Sequence, residues 1–132
     1  MEAKTAAMTE SIVATVQSHY GVEAEALIPG SPFCRDDGYC FLTVGPFDVE
    51  VYGAGLAIVK NTNQASRTDY VEMCGVVFAA ISGSDIMFAG QVVGETYGAA
   101  LRDGSFERDV SNIEIKISPS SDGILGCEFF RY

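Results

Sequence analysis

The chain has no tryptophan, one histidine and eight basic residues among 132. Each scarcity excludes a class of chemistry. With His19 alone, neither a multi-histidine metal site nor histidine-rich catalysis can be built. A cysteine–histidine nucleophilic pair would have to use that one imidazole. Eight scattered Lys and Arg cannot neutralise a run of phosphates, so direct nucleic-acid binding is not expected. Binding to an anionic membrane is not expected either, for want of a polybasic cluster. Cys34, Cys40, Cys74 and Cys127 contain no Cys-x-x-Cys pair and no zinc-ligand spacing. Fourteen glycines form no Walker loop and no Gly-x-Gly-x-x-Gly between strand and helix. No cofactor is expected. The longest unbroken apolar run, Met73–Ile81, is nine residues, against the ~20 that span a bilayer as helix. Glu2, Lys4 and Glu10 interrupt the first twenty residues, where a secretory leader would be apolar. These features point to a cytoplasmic protein without membrane attachment, whose four thiols are reduced by default.

What is present is acid and apolar bulk. Eighteen Asp and Glu give a net charge of −10. Residues 1–66 carry eight acids and three bases, and residues 67–132 carry ten and five. The excess is therefore spread evenly and is not an acidic tail. Such a surface keeps a protein soluble and complements a basic partner. Hydrophobic residues make up 48% and charged residues 20%, the balance of a globular chain. The length favours one domain over 1–132, large enough to bury its own core.

Residues 6–20 place Met8, Ile12, Val13, Val16 and Tyr20 on one helical face, with Thr5 or Thr9 as cap and Gly21 as the C′ residue. Val22–Ile28 alternates as a strand and stops at Pro29-Gly30-Ser31-Pro32. Phe33–Val44 reads as a hairpin around Asp36-Asp37-Gly38. A three-residue loop there sets Arg35 opposite Tyr39 and Cys34 opposite Cys40, whereas a two-residue loop offsets the cysteines. Phe47–Tyr52 and Leu56–Val59 are strands about the bend Gly53-Ala54-Gly55, and Lys60–Thr68 is an exposed loop.

The most apolar stretch, Val71–Val93, forms the middle of the core. A capping box at Asp69 and Glu72, with Gly83 as C′, argues for helix over 71–82. Its β-branched and aromatic residues, facing Ile86–Val93 across Ser82-Gly83-Ser84-Asp85, argue for a hairpin, and that reading is preferred. A short helix over 94–104 follows, where Gly90, Gly94 and Gly98 recur every fourth residue. After it come a polar connection, 105–110, and a C-terminal hairpin from Ile113 to Tyr132. The expected class is α+β: an N-terminal helix packed on a mostly antiparallel sheet of about six to eight strands, with room for one further short helix.

Three functional readings follow. The first is a non-catalytic binding protein of adaptor, chaperone or inhibitor type, expected as a homodimer, acting through protein–protein contacts. Its apolar contact would come from Phe129, Phe130 and Tyr132, and its acidic rim from Asp36, Asp37, Asp48 and Glu50. The second is a small-molecule module with a pocket between helix and sheet, lined by Phe78, Met87 and Phe88. The third is a cysteine-dependent enzyme using Cys74 and His19. It requires a partly exposed Cys74.

Overall fold

The computed structural model describes residues 2–28, 30–53, 55–61, 66–119 and 125–131. Helix α1 (Glu2–Tyr20) is followed by a 3-10 turn (Gly21–Glu23) and a single helical turn, α2 (Ala24–Leu27). Strands β1 (Phe33–Cys34), β2 (Tyr39–Val44), β3 (Phe47–Tyr52) and β4 (Leu56–Asn61) come next. Helices α3 (Arg67–Ser82) and α4 (Ile86–Asp103) follow, then β5 (Phe106–Val110), β6 (Ile113–Pro119) and β7 (Leu125–Arg131). The seven strands form one antiparallel sheet in the order β1-β2-β3-β4-β7-β6-β5. This is the α+β arrangement expected, with one more long helix than the sequence suggested.

Alternation along the strands decides which face holds the core. Cys40, Leu42 and Val44 on β2, Phe47, Val49 and Val51 on β3, and Ala57 and Val59 on β4 are buried. So are Ile113, Ile115 and Ile117 on β6, and Cys127 and Phe129 on β7. These point toward the helices. Helix α1 lays Met8, Ile12 and Val16 onto them, as its periodicity requires. It begins earlier than Thr5, so Thr5 is not a cap. The Thr5 hydroxyl, buried inside the helix, bonds to the backbone carbonyls of Gly38 and Gly53 and ties α1 to the ends of β2 and β3.

The central stretch is helical, not a hairpin. Ser66 caps α3, its hydroxyl accepting from the Asp69 amide at 3.2 Å, and Gly83 closes it with φ of 73°. Asp85 caps α4 by accepting from Met87 N at 2.7 Å. The Ser-Gly-Ser-Asp junction thus joins two antiparallel helices. Helix α3 lies between α1, α4 and strands β4 and β7, and nine of its sixteen residues are buried. A helix buried on nearly every side carries no amphipathic stripe, so its β-branched residues mislead.

Two further expectations are corrected. Val22–Ile28 is not a strand: only Ala24 of that stretch is buried, Val22 is exposed, and the alanines suit a helical turn. Residues 106–110 are not a connection but the edge strand β5. Residues 62–65 of the expected exposed loop, and the turn at 120–124, lie outside the described residues.

All four sulfurs are paired. Cys34 is bonded to Cys40, and Cys74 to Cys127. The expectation of reduced thiols is therefore overturned. The first bridge joins directly opposite residues of β1 and β2, with Cα atoms 4.1 Å apart, the arrangement that the three-residue loop sets up. The second ties α3 to β7 through the middle of the core, Cα to Cα 6.3 Å.

Candidate functional site

The described helices pack on one face of the sheet, and its other face carries the side chains that alternate with the core. Pairing register arranges them in rows. One row runs Tyr39, Tyr52, Leu56, Phe130, Glu114 and Asp109 across β2, β3, β4, β7, β6 and β5. Arg35 extends it beyond Tyr39, donating its amide to the Tyr39 carbonyl at 2.8 Å. The neighbouring row runs Phe33, Phe41, Glu50, Ile58, Glu128, Lys116 and Glu107. The face therefore divides. Over β1 to β4, and at Phe130, these two rows are aromatic and aliphatic apart from Glu50, and the next row there, Thr43, Asp48 and Lys60, is polar. Over β6 and β5 the face is charged. Phe33 is 61% exposed, Phe130 47% and Tyr52 38%, while Tyr39, Phe41, Leu56 and Ile58 are half-buried among them.

One carboxylate, Glu50, sits within the two rows. Tyr39 donates its hydroxyl to Glu50 Oε2 at 3.2 Å, and Tyr52 bonds to the same carboxylate. Lys60 Nζ lies 2.8 Å from Glu50 Oε1. The Tyr39 and Tyr52 rings meet with centroids 5.0 Å apart, and the Arg35 guanidinium lies 4.4 Å over the Tyr39 ring. Burial alone would raise the Glu50 acid, but Lys60 and the two hydroxyls outweigh it and hold it below the usual carboxylate range. Lys60 is raised by its bond to Glu50, and both tyrosines are raised by burial and by the neighbouring carboxylate. The cluster is thus a fixed anion inside an aromatic patch, neutralised by one lysine.

The residues expected from sequence fall as follows. Asp48 and Glu50 lie on this outer face, on β3, separated from Phe130 by strand β4. Asp36 and Asp37 are exposed in the β1–β2 turn, where Asp37 pairs with Arg35 at 3.1 Å. Phe129 points the other way: it is fully buried, its ring 5.8 Å from Phe78, and its place in an apolar contact surface is withdrawn. Tyr132 lies outside the described residues. Tyr39, Phe41, Leu56 and Ile58 join the face without being among the expected residues, although each has the strand parity of an outer-face residue. The signal is the β2–β3 hairpin register, which sets Tyr39 against Tyr52 once Gly45 and Pro46 are placed in the turn.

The residues named for the other two readings are not brought together. Cys74 is fully buried and bonded to Cys127, so the partly exposed thiol required of a nucleophile is not there. His19 lies at the surface end of α1, its Nε2 3.7 Å from Glu72 Oε2. Phe78 is a core residue, whereas Met87 and Phe88 are exposed near the start of α4. These three do not line a common pocket, because the segment is helical and its successive faces diverge. A shallow depression of about 380 Å³ over Ala14, Thr15, Ser18, His19 and Ile86 lies on the helical side. Among the described residues no three His, Cys, Asp or Glu side chains are grouped to hold a metal. No described helix is long and apolar enough to cross a membrane.

No protein-family model matches the chain, and no curated protein or solved structure matches it either.

Proposed function

We propose that this is a non-catalytic binding protein of adaptor, chaperone or inhibitor type, and that the outer sheet face is its contact surface. One observation carries the reading: Tyr39, Tyr52, Leu56 and Phe130 form a continuous row across four neighbouring strands, on the face that no described helix covers. Contiguous apolar surface bordered by charge is what protein interfaces use, with aromatic residues at the centre and polar groups at the rim. Behind the row the sheet is backed by buried Val49, Val51, Val59 and Ile115, so the backbone that carries the surface is preorganised for binding.

A photo-cross-linking residue placed at position 130, and separately at position 88 on the helical side, tests this. The expected result is a protein adduct from position 130 alone. That partner, once purified, should bind the wild-type chain and lose at least tenfold in affinity for F130E, about 1.4 kcal/mol. Adducts formed equally from position 88, or a purified partner indifferent to F130E, would sink the proposal.

A further inference from the structure

The division of the two rows into an apolar and an acidic half says what kind of occupant the face fits. Strands β3, β4, β7 and β6 each have a neighbour on both sides, and β1 covers β2 at Cys40 and Phe41, so over the aromatic rows the backbone groups pair within the sheet. The face offers side chains and no backbone donors. An occupant buried against it must satisfy its own amides and carbonyls, which a helix does and an extended peptide does not. Charge then selects among helices. Beyond Phe130 the two rows end in Glu114, Asp109, Glu128 and Glu107, against one cation, Lys116. A second copy would bring the same acids to the same surface, on a chain whose net charge is already −10, and like charges in apposition oppose docking.

We infer that the outer face receives an amphipathic helix of a partner protein, its apolar stripe over Tyr52, Leu56 and Phe130 and its Lys or Arg side chains over Glu114 and Glu128. This rests on the reading of the face as a protein-contact surface and adds the partner's fold and charge to it. The two ends of the row act differently. The aromatic end supplies apolar burial, the main source of affinity. The acidic end supplies orientation and speed of encounter, and is screened by salt.

The probe is a synthetic helical peptide with Leu on one face and Lys on the other. It is set against the same peptide with Glu for Lys, and against a scrambled peptide of identical composition. Titration calorimetry against the full chain, F130E and E114K/E128K gives the readout, with circular dichroism verifying that each variant is folded. The Leu/Lys helix should bind more tightly than both controls. It should lose at least tenfold with either variant, and it should weaken as salt rises. The Leu/Glu helix should bind E114K/E128K better than it binds the wild type. If both helices bind alike, or the charge reversal changes nothing while F130E still abolishes binding, the inference fails and the contact surface stands. If the scrambled peptide binds as well and F130E has no effect, both fail. A dimer seen by sedimentation velocity, lost in F130E and not displaced by peptide, would make a second copy the occupant and overturn the inference.

Discussion

The hydroxyl of Tyr70 accepts a hydrogen bond from the Cys127 amide at 2.9 Å and donates one to the Val59 carbonyl. Val59 and Cys127 are the last register pair between β4 and β7. That pairing is where the strands before the helices join the strands after them. Cys74, one helical turn beyond Tyr70, is bonded to the Cys127 sulfur. One face of α3 therefore grips a single residue of β7 twice, and so holds together the two halves of the sheet that carry the outer face.

Tyr70→Phe keeps the ring and deletes both hydrogen bonds, leaving a buried amide and carbonyl without the hydroxyl. The expected cost is about 1–3 kcal/mol, read as a lower urea midpoint at unchanged slope. The same residue makes stability fall in alkali. Burial raises the Tyr70 phenol above its ordinary value of 10.0. The neutral form is then the folded form, so the contribution is complete below that value and is lost as pH climbs toward the folded pKa. Above roughly pH 10 the unfolded chain ionises first, and stability drops by up to about 1.4 kcal/mol per pH unit for this group. Tyr70→Phe should flatten the alkaline limb. A limb equally steep in the variant would show that Tyr70 does not drive it.

The two disulfides differ in both leverage and access. Cys74–Cys127 spans 53 residues of sequence and Cys34–Cys40 spans 6. By chain entropy the first should contribute about 4 kcal/mol and the second about 2 kcal/mol. Cys34 is exposed, whereas Cys74 and Cys127 are wholly buried. A mild thiol reductant should therefore open Cys34–Cys40 first, and Cys74–Cys127 only when the chain unfolds. Mass spectrometry with thiol alkylation follows both events. Equal rates of reduction, or four alkylated thiols before any reductant, would overturn this ordering.

How far the sequence discloses this arrangement depends on how local the deciding contact is. The β1–β2 register is local: Gly38 in the turn sets Cys34 beside Cys40, and the bridge is readable from six residues. The N-terminal helix is readable because one face of it meets water. Helix α3 is not, because the contacts that bury Val76 and Val77 come from α1, α4 and the sheet, none of which is near in sequence. For the same reason Cys74–Cys127 is invisible. The outer face is intermediate. Strand parity correctly sets Asp48, Glu50 and Tyr52 apart from Phe47, Val49 and Val51. Joining Leu56 to Phe130, however, needs the β4–β7 pairing, which forms only after two helices have intervened. Composition groups Phe129 with Phe130 at the surface, whereas strand parity separates the two.

The α3–α4 contact turns on one glycine of a close pair. A Cβ built at Gly75 would lie 3.2 Å from the Gly90 Cα, a backbone atom. Gly75→Val must force the helices apart and should cost about 1–3 kcal/mol or more. A Cβ at Gly90 meets nothing within 4 Å. Gly90→Ala should instead stabilise by up to about 1 kcal/mol through helix propensity. Opposite signs in denaturant titrations are the expected outcome, and a destabilised Gly90→Ala variant would contradict the asymmetry.

Phe129 and Phe130 make the sharpest contrast, since one residue of parity separates core from surface. Phe129 is fully buried against Phe78. Phe129→Ala removes a ring from a closed interior and should cost about 3–5 kcal/mol. Phe130 is about half exposed on the outer face, and Phe130→Ala should stay within about 1 kcal/mol of wild type. Binding should rank them the other way. A conservative Phe129→Leu keeps the core filled and should leave affinity for the Leu/Lys helix unchanged, whereas Phe130→Ala should weaken it several-fold. Calorimetry on the two variants, each verified as folded, separates stability from recognition. If Phe130→Ala binds as the wild type does, the aromatic row is an exposed part of the sheet and not its contact surface.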